Sequence, residues 1–328
     1  MTKLPATPPL FCSGNISVDV DDLHCYRAIH GLADPGEAGP SPVWTVGIDR
    51  ARRLFEAAQI EATFFVVGRD LKEPAHRDLA CALAQAGHEL ANHTQDHPYD
   101  LRHLQELDLH YQIGACDDAI ADITGVRPVG FRTPGYNVSG DIIAFSRRAG
   151  HRYDASIFPC VAYWVAKAAV MRWRALRGEP SHSSATDPRT LLAPRQPYFP
   201  DPLECWRPAA GPMSFVEIPV AVFAGRSIPI IGTSLHLLDT PNWERIWPLV
   251  DRSFPRFFNL EMHAIDFIDA HDLEGVLDAR ELIRRQPDLR IPWEVKRERY
   301  ERVFSTLSAH RSMGTLARAV CGPDHRAS

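Results

Sequence analysis

The 328-residue chain lacks a disulfide framework: its seven cysteines, at 12, 25, 81, 116, 160, 205 and 321, form no C-x-x-C pair, and an odd number cannot all pair internally. Reduced, mostly structural thiols are expected. It also lacks a basic excess, since 36 Lys and Arg face 41 Asp and Glu for a net charge of -5 and a pI near 6.3. With no basic tract interleaved with aromatics, nucleic acid is not an expected partner. The opening MTKLPATPPLFCSGN holds neither an apolar core of signal-peptide length nor a twin-arginine pair, so a cytoplasmic location is expected. No internal repeat is visible.

What is present is enough apolar sequence, 45%, for a substantial core. From Asn15 to about Gly150 strand and helix patterns alternate, punctuated by Gly and Pro, as in βα units around a parallel sheet. The strand candidates are NISVDV, ATFFVVG from Ala62, HELANH from His88 and PVGFR from Pro128, followed by HRYDAS, SFVEIPV and FFNLEMH. Between them PVWTVGIDRARRLFEAAQ, EPAHRDLACALAQAG and LRHLQELDLHYQIGACDDAIADITG repeat apolar residues every three or four positions. The pattern predicts a closed or partly closed barrel, with an open doubly wound sheet as the alternative. In both, the site lies at the strand C-termini. Residues 1–14 read as a tail and 15–328 as one domain, with a helical and Pro-rich insertion at about 160–213 and a charged helical extension at about 292–328.

Three carboxylates, Asp19, Asp21 and Asp22, close the first strand. Burying even one of them ionised costs several kcal/mol without a partner, so a cation is expected there. His93 and His97 lie four apart just after a strand and before a helix, and on a helical turn this spacing puts both imidazoles on one face. Two neutral imidazoles and one carboxylate make a three-ligand divalent site with positions left open.

These residues resemble the motifs of the polysaccharide deacetylases, the NodB-homology domain of carbohydrate esterase family 4. Asp19-Val-Asp21-Asp22 resembles the carboxylate pair ending strand one, and His93-Thr94-Gln95-Asp96-His97 the His-Ser/Thr-x-x-His motif. "GFRTPGYN", through Arg132, Pro134 and Tyr136, resembles the third motif, and "LEMHAIDF", with His263, the last. The resemblance implies a distorted (β/α) barrel that removes an N-acyl group from an amino sugar with a divalent ion, zinc being the expectation. It implies a base and a metal ligand in the first motif, two His ligands, Arg132 orienting the base, His263 as general acid, and Pro134 and Tyr136 against the substrate. Asp19 and Asp21 share a strand face, which favours Asp19 as base and Asp21 as ligand. The competing register makes Asp21 the base and Asp22 the ligand. The remaining Asp takes a supporting, N-cap or turn role.

Asp154 is expected to hold Arg132 or His263, or to act as a turn residue. Asp266 or Asp269 could orient His263, Asn92 could support His93, and His236 reads as a core histidine. The apolar segment 157–177 is too short to span a bilayer and reads either as a lid or as an interfacial contact in which Trp164 and Trp173 meet the headgroups and Arg172, Arg174 and Arg177 face anionic lipid. A small or lipid-linked glycan intermediate is the expected substrate. Two other classes are an amidase acting on a linear or cyclic non-sugar amide and a mononuclear non-haem iron enzyme.

Overall fold

A computed structural model describes residues 7–34, 36, 39–178, 185–236 and 243–323. All seven strand candidates form one parallel sheet. Its strands are β1 (Gly14–Val20), β2 (Thr63–Val66), β3 (Glu89–Asn92), β4 (Gly130–Phe131), β5 (Tyr153–Asp154), β6 (Val216–Glu217) and, after a small hairpin of β7 (Val222–Phe223) and β8 (Ile228–Pro229), β9 (Phe258–His263). The spatial order is β6-β5-β4-β3-β2-β1-β9, all pairs parallel. The sheet curls into a partly closed barrel. Chain between its two edges bridges the gap, as Ala221 N donates to Asn259 O at 3.0 Å and Ile231 pairs with Glu261.

Alternation along the strands divides the molecule into two environments. Ile16, Val18 and Val20 of β1, Phe64 and Val66 of β2, and Phe258, Leu260 and Met262 of β9 face outward into one large apolar core. The intervening Asn15, Ser17, Asp19, Asn259, Glu261 and His263 face the barrel interior. That interior is polar and partly paired: Ser17 Oγ donates to Asn259 Oδ1 at 3.1 Å, and Thr63 Oγ1 and Tyr153 OH each donate to Glu89 at 2.8 Å.

The helices are α1 (Leu23–His30), α2 (Asp49–Ala58), α3 (Pro74–Gln85), α4 (Glu106–Thr124), α5 (Gly140–Ala149), α6 (Val161–Leu176), α7 (Gly232–Leu235), α8 (Trp243–Arg252), α9 (Ala279–Arg285), α10 (Trp293–His310) and α11 (Leu316–Cys321). The three helical patterns read from the sequence correspond to α2, α3 and α4, the last stopped by Gly125 at φ 81°. The C-terminal extension is integral to the domain. Tyr300 and Phe304 of α10 join the apolar core, Phe304 stacking on Phe55 at 5.2 Å. The N-terminus of α11 plugs the lower end of the barrel, where Leu316 N donates to Thr63 Oγ1 and Ala317 N to Glu89 Oε2, both at 2.9 Å. The described part of the N-terminal tail is tied down too, with Phe11 N on Ala319 O and Cys12 buried. With the lower end sealed, the upper end is the open one. Among the described residues no helix is long and apolar enough to cross a membrane.

Candidate active site

Asp19 lies one residue before the end of β1, opposite His263 in the β1–β9 register. Its Oδ1 accepts from Arg132 Nη1, a guanidinium with no solvent exposure. Arg132 is held further by Nε to Ala155 O at 2.8 Å and Nη2 to Ser17 Oγ at 2.9 Å, and it lies 4.1 Å over the Phe65 ring. With all three nitrogens of the guanidinium hydrogen-bonded, the carboxylate it holds is fixed in turn.

Asp21, two residues on, meets both histidines: Oδ1 is 3.3 Å from His93 Nε2 and 3.2 Å from His97 Nε2. The rings come together at 4.9 Å between centroids, but through a loop and not the helical turn expected from their spacing. Residues 93–97 follow β3 with Thr94 at φ 70° and His97 at φ 57°, left-handed positions that non-glycine residues adopt at a cost of about 1–3 kcal/mol. Side chains hold the loop in this form, since Thr94 N donates to Asn92 Oδ1 at 2.7 Å and His97 N to Thr94 Oγ1 at 3.1 Å. Asn92 is fixed to α4 through Ile113 O and Asp117.

The donor set fits a divalent cation. His93 Nδ1 donates to Arg132 O at 2.8 Å, which turns the Nε2 lone pair toward Asp21. Asp21 Oδ1 and both ring nitrogens of His97 are buried without a hydrogen-bond partner. Burial opposes ionisation of Asp21, yet the His97 and His93 imidazoles hold its carboxyl well below the usual range. Burial also keeps His97 below its ordinary value, in the neutral form a metal requires, while for His93 Asp19 and Asp21 outweigh burial and raise it. Three buried acceptors converging on one point are a poor arrangement until something positive joins them.

His263 faces this group from β9, with Nε2 3.8 Å from Asp21 Oδ2. Its Nδ1 pairs with Glu261 Oε1 at 2.9 Å. Burial disfavours the imidazolium, but Glu261, Asp21 and Asp19 outweigh it and raise His263 well above its ordinary value. Glu261 is absent from the sequence reading. Its signal is the i, i+2 spacing to His263 on one strand face, in "LEMH". Neither Asp266 nor Asp269 orients the imidazole: Asp266 accepts from the His263 backbone N–H at 2.8 Å, and Asp269 from the backbone of Trp293 and His271.

Two carboxylates stand apart from the ligand group. Asp22 caps α1, accepting from Leu23 N at 2.6 Å and from Ser41 Oγ, and burial with Asp70 nearby pushes its carboxyl up to about 7. It is therefore neither an alternative ligand nor a support for one. Asp154 makes no hydrogen bond to Arg132 or His263; it accepts from Ser156 Oγ at 2.7 Å and lies against Glu217, whose carboxyl burial and Asp154 raise well above the usual value. Arg132 takes the Ala155 carbonyl next to it instead. His236 is half-buried and paired with Tyr300 OH at 2.8 Å, away from the ligand group.

A cavity of about 410 Å³ opens onto Asp19, Asp21 and His263. Tyr26, Tyr99, Tyr136 and Tyr163 line it, and Gly135 lies beside Tyr136 in the turn begun by Pro134. Helix α6 crosses this cavity, contributing Tyr163, Lys167, Met171 and Arg174 from one face. Arg174 is buried, donating to Ile29 O at 2.6 Å and His30 O at 2.7 Å at the end of α1. It is thus a strut and does not face lipid. Trp164 likewise turns to the protein, donating to Thr186 O at 3.2 Å.

Residues 38–153 match the polysaccharide deacetylase family model, a span that contains His93, His97, Arg132, Pro134 and Tyr136 but not Asp19, Asp21 or His263. A peptidoglycan deacetylase-like protein of Gibberella zeae is 30% identical over 115 residues, 34% of this chain. The match covers about a third of that relative, 33% of its length. In structure, the chain is similar to a Mycobacterium smegmatis protein assigned to the polysaccharide deacetylases, with a TM-score of 0.54 at 18% identity over 94% of each chain, which shows a shared fold. A family 4 carbohydrate esterase from Streptomyces lividans aligns at TM-score 0.32 and 20% identity over 46% of this chain and 63% of its own.

Proposed function

We propose that this chain, which carries the polysaccharide deacetylase fold and the family's sequence over residues 38–153, is a metal-dependent hydrolase that removes an acetyl or formyl group from an amino sugar. The observation that carries the reading is the meeting of Asp21, His93 and His97, with Asp21 Oδ1 and the ring nitrogens of His97 buried and unpartnered. These three would hold the ion, with zinc favoured by two imidazoles and a carboxylate. When bound, a divalent ion supplies Lewis acidity, polarising the amide carbonyl and lowering the pKa of water. Asp19 is placed to take the proton of the attacking water, fixed by Arg132 and outside the ligand group. His263, kept protonated by Glu261, is placed to give a proton to the departing amine, which leaves poorly without one.

The small cavity beneath α6 favours a compact substrate, a single sugar unit or the end of a glycan. The outer face of α6 leaves Val165, Trp173 and Leu176 at least half exposed, with Arg172 and Arg177 beside them, which supports contact with a membrane surface and a lipid-linked substrate. The test is a screen of zinc-loaded protein against soluble and lipid-linked N-acetyl and N-formyl amino sugars, reading acetate and formate. His93→Ala and His97→Ala are expected to abolish metal binding and product release together. Stoichiometric metal retained in both variants would refute the site.

A further inference from the structure

We propose that Lys167 reads an anionic group on the substrate, so that the acylated amine turned over here carries a phosphoryl group near the amide. The proposal rests on the deacylase reading of the same cavity and adds to it the chemical class of the substrate. Lys167 lines the cavity that also exposes Asp19, Asp21 and His263. Its Nζ donates to Gly135 O at 3.1 Å and Thr186 Oγ1 at 3.3 Å, both neutral acceptors, which leaves one of three N–H bonds unused. Among the described residues no carboxylate lies within ion-pair distance of it. An ammonium largely removed from water with no counter-charge is costly. Burial lowers Lys167 to about 8, so near neutral pH it still carries its charge.

The location suits a substrate contact. A side-chain carbon on Gly135 would lie 3.7 Å from Lys167 Nζ and 3.1 Å from the Tyr99 ring, and that ring is 4.6 Å from His97. One aromatic side chain therefore separates the ammonium from the ligand group along a single wall. Gly135, at φ 60°, leaves room for the Tyr99 ring, which a Cβ there would crowd at 3.1 Å. Arg174, two turns along the same face of α6, adds positive potential on this side of the cavity, opposite in sign to the Asp19 and Asp21 end. Lysine serves phosphoryl oxygens well as a compact point charge.

The experiment compares kcat/KM for N-acetylglucosamine 1-phosphate and N-acetylglucosamine in the zinc-loaded parent, Lys167→Met and Lys167→Arg. The parent is expected to prefer the phosphorylated sugar by about tenfold or more, as for a charged hydrogen bond. Lys167→Met should bring the ratio close to one, and Lys167→Arg should recover part of it. Equal losses on both substrates in Lys167→Met overturn the proposal and make Lys167 a strut for the lid. No preference in the parent overturns it as well. If neither sugar is hydrolysed, the deacylase reading fails by itself and calorimetric titration with inorganic phosphate and phenyl phosphate decides. Saturable binding lost in Lys167→Met supports the anion site, and absent binding refutes it. UDP-N-acetylglucosamine and a polyprenyl-phosphate-linked sugar, assayed alongside, distinguish a nucleotide source of the phosphoryl group from a lipid one.

Discussion

Replacing Asp19, Asp21 and Asp22 one at a time by Asn separates three roles that the sequence places within four residues. Asp19→Asn keeps an oxygen for Arg132 Nη1 but removes both the negative charge and the capacity to accept a proton. Loss of a general base costs about 10²–10⁴ in kcat. Stability falls as well, because Arg132 has no solvent exposure. Removing a partner from a buried ion pair costs about 3–5 kcal/mol. Here the Asn oxygen and the bonds from Arg132 to Ala155 O and Ser17 Oγ persist, which places the loss at or below the lower end of that range. A fall in Tm of at most about 4–5 °C is expected for a domain of this size. Metal content should be unchanged, since Asp19 lies outside the ligand group. Asp21→Asn should instead lose the metal and, with it, the activity. Asp22→Asn should keep both, as Asn caps a helix about as well as Asp. Elemental analysis, thermal unfolding and single-turnover acetate release on the three variants provide the readouts. Metal lost from Asp22→Asn but retained by Asp21→Asn would refute this account and establish the other register.

His263→Ala is expected to retain metal and to lose far more kcat on an amide than on an activated ester, whose leaving group needs no proton; equal losses would show a binding role. Glu261→Gln removes a charge that raises the His263 pKa, so the acid form is lost at lower pH and the alkaline limb of the kcat/KM profile should move to lower pH, with metal content unchanged. His88, far from the ligand group, is neutral in the fold because burial and Arg52 lower it to about 4, while Nδ1 accepts from Ala62 N at 3.0 Å. Between about 6.5 and 4 the unfolded chain binds more protons there, so stability should drop as pH falls through that window; urea midpoints for the parent and His88→Asn should converge toward acid if this holds. On the membrane proposal, sedimentation with anionic vesicles at low salt should weaken with added salt and on changing Arg172 and Arg177 to Gln, and parent protein remaining in the supernatant would end it.

Local pattern made much of this protein legible. The seven strands and helices α2 to α4 could be read because period-two and period-3.6 burial are short-range properties; His93 and His97 stood out by their spacing, and Arg132 and His263 by the resemblance of their motifs to those of the polysaccharide deacetylases. Sequence spacing also put Asp19 and Asp21 on the same side of the chain at the end of β1. What it left open was which of three adjacent carboxylates meets the histidines, since a turn of the backbone after Val20 decides that and Asp22 is claimed by Leu23 N and Ser41, the latter 19 residues away. The same limit hid the loop conformation of His93–His97, which depends on Asn92 being anchored by α4, 21 to 25 residues on. It hid the burial of Arg174 against α1, 144 residues away, which takes that residue out of the apparent lipid-facing stripe and into the roof of the cavity. Short-range periodicity reports which side of an element is apolar. Which neighbour covers that side, and which polar atoms are left there unpaired, is set by contacts between distant segments and exists only once the barrel has closed.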